Sequence, residues 1–207
     1  MTVSPAASAT VSPPIPTHII AEDLARFQVS PAAYIQHCRP DLDRLVVGAV
    51  VVHHDQMLLI QRSRHDWGGL CWEIPGGMCE EQDTSVLGAA CRELEEEAGL
   101  RATAILKLVD EKPLKSSDDL SWGKVTFLVQ VEQAADGAAA KPAVTLDPLE
   151  HEDYVWATEE NLLAGSCGDR TFRWIDDSQR DTILKAFRIA KHSSKLAGKN
   201  GIMEDTA

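Results

Sequence analysis

Gly76 to Leu100 reads GGMCEEQDTSVLGAACRELEEEAGL, and its second half, Arg92 to Leu100, is RELEEEAGL. Over Val86 to Ala98 the apolar residues Leu87, Ala90, Cys91, Leu94 and Ala98 recur on one stripe, which predicts an amphipathic helix. Gly99 suits the left-handed position that ends a helix, and Asp83 or Thr84 offers an N-cap. Glu93, Glu96 and Glu97 stand at i, i+3 and i+4, so they share a face and repel one another, at roughly 0.2–0.5 kcal/mol per pair. Two readings account for such a face. Either it is simply solvated, as charge runs usually are, or cations neutralise it. For oxygen ligands those cations are hard divalent ions, Mg²⁺ or Mn²⁺.

The preceding residues favour the second reading. Trp72-Glu73-Ile74-Pro75-Gly76-Gly77 is a short apolar run stopped by Pro-Gly-Gly. Adjacent glycines let a backbone approach a ligand closely or take positive φ. Such a loop can aim a carbonyl at a metal or amides at a phosphate, which makes Gly76 a candidate substrate contact.

Together these residues resemble the box of the Nudix hydrolases, G-x5-E-x7-R-E-U-x-E-E-x-G-U, where U is aliphatic. Gly77 begins the match, and Arg92-Glu93-Leu94-Glu95-Glu96-Glu97-Ala98-Gly99-Leu100 completes it without a mismatch. Trp72 to Gly77 is similar to the family's lead-in. The middle departs: one extra residue separates Gly77 from Arg92, so the first acid of the box becomes Asp83 or Thr84. The shift makes Asp83 a cap or supporting group rather than a metal ligand.

The resemblance implies an α/β fold, an α/β/α sandwich around a central mixed sheet, in pattern from Leu45 to Lys191. It implies metal-dependent hydrolysis of the diphosphate bond of a nucleoside diphosphate linked to another moiety. Alternatives are a prenyl diphosphate, an inositol pyrophosphate, a capped RNA end, or a module that senses nucleotide without hydrolysis. Glu93, Glu96, Glu97 and the Gly77 carbonyl would hold Mg²⁺ or Mn²⁺, and Arg92 would orient the acids. Glu96, Glu150 or Glu152 would be the general base. The physical logic agrees, since a diphosphate repels a nucleophile until its charge is neutralised.

Composition sets the frame. The 207 residues carry a formal net charge of −12, with 44% hydrophobic and 25% charged residues, which fits one soluble domain with a full core. That acidity argues against general nucleic-acid binding and against an anionic membrane surface. No stretch is apolar enough to span a bilayer. Cys38, Cys71, Cys79, Cys91 and Cys167 form no ligand-like spacing, so they read as reduced thiols of a cytoplasmic protein. The expected partner is a small-molecule diphosphate; a homodimer is left open.

Along the chain, residues 1–20 read as a disordered tail, 21–192 as the Nudix domain and 193–207 as a flexible tail. Ala21 to Arg39 reads as helical turns broken at Pro31. Leu45 to Val52 and Met57 to Gln61 read as strands joined by a turn at His53 to Gln56. Arg62 and Arg64 are candidate phosphate contacts, or else a solvated strand end. Ala104 to Val109 and Val125 to Val131 are further strands, with Lys112 to Leu120 as a polar loop. Trp122 either stacks on a substrate ring or is buried. Ala134 to Lys141 reads as a surface insertion, Tyr154 to Trp156 as a short strand, Thr158 as a helix cap and Asp176 to Lys191 as the closing amphipathic helix.

Overall fold

The computed structural model describes residues 22–115, 118–134, 137 and 139–200, and the side chains of all of these except 22 and 193–200. The tail over 1–20, position 21, where the first helical reading and the domain begin, the end of the second tail over 201–207, and positions 116, 117, 135, 136 and 138 lie outside the described residues.

The sheet is mixed, and it is built around β1 (Arg44–His53). This Val-rich strand pairs in parallel with β5 (Trp122–Val131), from Arg44↔Trp122 to Val51↔Val129. Beyond β5 lies the antiparallel β4 (Ala102–Leu114). On its other side β1 turns into β2 (Gln56–Arg62), but the two strands pair only next to the turn, at Val52↔Met57 and His53↔Gln56. β2 then pairs with β3 (Trp72–Glu73) and, along its whole length, with β6 (His151–Thr158).

β1 and β2 therefore part company, and the exposed edge of β1 must be satisfied another way. The segment after β3 does this. Val47 N–H donates to the Gly77 carbonyl (2.9 Å), Ala49 N–H to that of Pro75 (2.8 Å), and Cys79 N–H to that of Leu45 (2.9 Å). The Pro-Gly-Gly loop thus sits in the split of the sheet.

Each face of the sheet is covered by helix. On one face Leu45, Val47, Ala49 and Val51 meet Leu87, Ala90, Leu94 and Ala98 of α2 (Val86–Ala98). Tyr34 of α1 (Pro31–Cys38) and Leu24 and Phe27 of a 3-10 turn at Glu22–Phe27 join them. The other face carries Val50, Met57, Leu59, Trp72 and Leu128 against Ile183, Ala186 and Phe187 of α4 (Asp177–Asn200). Leu162 of α3 (Glu159–Ala164), a helix capped by a Thr158–Asn161 box, packs there too. A small hairpin of β7 (Ser166–Cys167) and β8 (Arg170–Thr171) completes the fold. No helix among the described residues is long and apolar enough to cross a membrane. The five cysteines are free thiols.

Several boundaries differ from those read in the sequence. β4 runs on through Lys112–Leu114, because β5 supplies partners for those residues down to Leu114↔Trp122. β6 begins at His151, since β2 pairs with it as far as Arg62. α4 continues past Lys191 to Asn200. The cap of α2 is neither Asp83 nor Thr84 but Ser85, whose extended backbone lets Oγ accept from Gly88 N–H.

Candidate active site

Two glycines fix how closely the loop approaches α2. Gly76 has φ +155°, and a Cβ there would lie 2.2 Å from the Val47 carbonyl oxygen. A Cβ on Gly77 would lie 2.6 Å from Oε2 of Glu93. Backbone and carboxylate therefore meet with no room for a side chain. The carbonyls flanking Gly76 both accept from β1, whereas the Gly76 N–H points at the helix and donates to Glu97 Oε2 at 2.6 Å. With Val47 N–H on it, the Gly77 carbonyl keeps one lone pair for a metal.

Arg92 organises the acid face. Its buried guanidinium donates to Asp83 Oδ1 (3.0 Å) and Oδ2 (3.1 Å), to Glu96 Oε2 (2.7 Å) and to the Met78 carbonyl (3.1 Å). Its Nη1 also lies 3.0 Å from Glu93 Oε1. Burial disfavours the charge on Arg92, but Asp83, Glu93 and Glu96 hold it firmly cationic. Asp83 is thus an anchor for Arg92 rather than part of the acid face, and it also accepts from Glu80 N–H.

The three acids of the face are not equivalent. The side chain of Glu96 is 45% exposed. Glu93 and Glu97 are buried, Glu97 to 4% exposure. Burial pushes Glu97 up to about 9, against the Gly76 hydrogen bond, with Glu73, Glu93 and Glu150 adding to the rise. Glu93 goes up to about 7, again by burial, opposed by Arg92 and reinforced by Glu96 and Glu150. A solvated acidic face does not describe these groups. They are carboxylates held out of water with less positive charge than they need.

Of the base candidates, Glu150 reaches this group. Ligand atoms of Glu97, Glu150 and His151 lie within 4.8 Å of one another. Glu152, two residues along, turns to Arg64 and takes its backbone N–H and guanidinium (Nη2 at 2.9 Å). Arg64 is spent on that pair. Arg62 is engaged by Glu73 Oε1 (2.7 Å), the Trp67 carbonyl (2.7 Å) and Asp66. It still lines a cleft of about 330 Å³ with His65, Asp66, Leu149 and Glu150, beside the acids. Trp122 opens β5, half-buried, and its indole N–H donates to Asp118. A larger cleft of about 380 Å³ lies at the far end of β1 and β5, against Val52, His53 and Val131, away from every acid named above.

Sequence reading missed two residues. Glu73 and His151 are buried side by side, Glu73 Oε1 3.3 Å from His151 Nε2, which is 3.9 Å from Glu97 Oε1. Burial raises Glu73, but the His151 hydrogen bond and the charges of Arg62 and Lys124 outweigh it and hold Glu73 below the usual range. An acid inside the apolar run Trp72–Pro75 was the available signal, because such a position needs a partner.

The sequence profile of the NUDIX domain matches residues 42–177, more than half of the chain. The chain belongs to the Nudix family. In class it is a Nudix-type pyrophosphohydrolase. No curated protein matches it. Solved structures share the fold at low identity. The MutT NUDIX hydrolase from Burkholderia pseudomallei is 21% identical with a TM-score of 0.52, over 69% of this chain and 96% of that one. The NUDIX domain of Shewanella oneidensis NrtR, in complex with ADP ribose, is 21% identical with a TM-score of 0.54, over 78% and 99%. A UDP-X diphosphatase is 16% identical with a TM-score of 0.51, over 71% and 64%.

Proposed function

We propose that this Nudix protein uses Mg²⁺ or Mn²⁺ to hydrolyse the diphosphate link of a nucleoside diphosphate joined to another moiety. The observation that carries this is the burial of Glu93 and Glu97 without enough cation to neutralise them. Their oxygens, with those of Glu96 and a carbonyl of the glycine loop, make the all-oxygen donor set that hard divalent ions take. Such an ion, when bound, neutralises phosphate charge and polarises the phosphoryl group.

The residues then divide the work. Arg92 holds Glu93 and Glu96 in place, and Gly76 N–H holds Glu97. Water attacks phosphorus and the phosphoanhydride P–O bond breaks. Glu150, at the mouth of the cleft, accepts the water's proton, a role for which Glu152 is unsuited while it is paired with Arg64. The nucleoside diphosphate class is supported by the family and by two structures of similar fold, a UDP-X diphosphatase and a domain bound to ADP ribose.

The test is a panel of nucleoside diphosphate sugars, dinucleotides, triphosphates, prenyl diphosphates and inositol pyrophosphates, with and without each metal, in heavy-oxygen water. Metal-dependent turnover of a nucleoside diphosphate derivative, with label on a phosphate product, is expected. Turnover of prenyl or inositol substrates alone replaces the substrate class, and label on carbon defeats the mechanism.

A further inference from the structure

We propose that His151 is a positioning residue that sets the orientation of Glu97, and that Glu73 and Arg62 lock His151 for that purpose. This inference rests on the metal-site reading above.

His151 is 1% exposed. Its Nε2 faces two carboxylate oxygens, Glu73 Oε1 at 3.3 Å and Glu97 Oε1 at 3.9 Å. The nearer of the two, Glu73, is kept ionised by Arg62, so a ring nitrogen at 3.3 Å from it must carry its hydrogen; a lone pair there would face a carboxylate charge. His151 is therefore a donor at Nε2. Its Nδ1 is buried and has no hydrogen-bond partner among the described residues, so nothing holds the ring from that side.

Glu73 supplies the hold instead. Its Oε1 takes Arg62 Nη1 at 2.7 Å as well as His151, and Arg62 is fixed by Asp66 and by the Trp67 carbonyl. The result is a row from Arg62 through Glu73 and His151 to Glu97. Glu97 is held at Oε2 by Gly76 N–H at 2.6 Å, while its Oε1 lies 3.9 Å from the facing His151 Nε2, close enough for electrostatic attraction but beyond a hydrogen bond. Without His151 the Oε1 end loses the buried ring that faces it, and the Gly76 N–H bond alone is left to orient the acid. Supporting groups of this kind typically change metal affinity or activity by about 10–100-fold. Direct ligation through Nε2 would need a lone pair there, which the Glu73 contact rules against.

The experiment measures Mn²⁺ binding by electron paramagnetic resonance in the full chain, with circular dichroism on each variant without metal. His151→Leu should weaken Mn²⁺ by about 10–100-fold and lower kcat more than it raises KM. His151→Gln places an amide N–H near the Nε2 position and should recover most of the loss. Glu73→Gln keeps the ring but removes its charged acceptor and should weaken Mn²⁺ by a smaller factor. It decides the matter if His151→Leu does not fold.

Wild-type affinity in a folded His151→Leu protein, or in Glu73→Gln, overturns the proposal. So does nitrogen hyperfine coupling to Mn²⁺ in the wild type that vanishes in His151→Gln, since that marks His151 as a ligand. If the wild type itself binds no Mn²⁺ at millimolar concentration, the metal-site reading fails, and this inference fails with it.

Discussion

Replacing Glu97 by Gln separates its shape from its charge. The charge is the part that burial opposes, so the metal-free Glu97→Gln protein should melt at the same temperature as the wild type or higher. Its kcat should nevertheless fall by at least about 10²-fold, because stabilisation of developing phosphoryl charge is lost. Melts and steady-state kinetics on the same sample check both halves, and near-normal turnover in a folded protein would refute the role of Glu97. The two glycines make a matched pair of tests. At Gly76 an added methyl meets the backbone of Val47 in a conformation that L-residues avoid. Gly76→Ala should cost roughly 2–3 kcal/mol of stability by denaturant unfolding. At Gly77 the obstacle is the end of the Glu93 side chain. Gly77→Ala should leave stability closer to wild type and weaken metal binding, as calorimetry with Mn²⁺ would show.

α2 shows which features a sequence can display. Its length, its stripe and its Gly99 terminus follow from spacing alone, and the helix spans Val86–Ala98 as the periodicity predicts. The choice of cap does not follow. Asp83, Thr84 and Ser85 are all competent, and the outcome turns on Arg92 reaching back to claim Asp83. Between the glycine loop and α2 the chain turns, with Asp83 N–H donating to the Glu80 carbonyl. Ser85→Ala should therefore cost about 1 kcal/mol in urea unfolding, the usual loss for an N-cap. The roles of Glu73 and His151 were invisible for a related reason. Glu73 lies in a short apolar run and His151 in the polar stretch His-Glu-Asp that opens β6, and only the pairing of β2 with both β3 and β6 brings the two together. The ends of β4 and β6 depend on partners in the same way. Local patterns are legible, whereas a residue whose meaning lies across the sheet is not.

At the scale of the molecule the acid site tilts stability with pH. Glu93 and Glu97 rise from 4.5 to about 7 and about 9. With folded values above unfolded ones, the native state binds more protons than the unfolded chain, so stability falls as pH rises. For metal-free protein their contribution is complete below about 4.5 and is lost progressively up to about 9. Saturating Mg²⁺ should remove most of that slope at the alkaline end, because ligand binding to the native state adds stability by mass action. Melting temperatures from pH 5 to 9, in chelator and in Mg²⁺, test this; equal slopes would contradict it.

The split sheet also sets an order in time. Synthesis delivers the glycine loop and α2 well before β6, and until β6 arrives the outer edge of β2 has no strand on it. A nascent or stalled chain of that length displays a bare strand edge of the kind that recruits other chains. Such long-range pairing is the slow part of folding. In refolding from urea, Mn²⁺ capture should appear only with the slowest phase, after the helical signal of α2 has already recovered. Capture in the early phase would mean that the acids close on metal without the last strand.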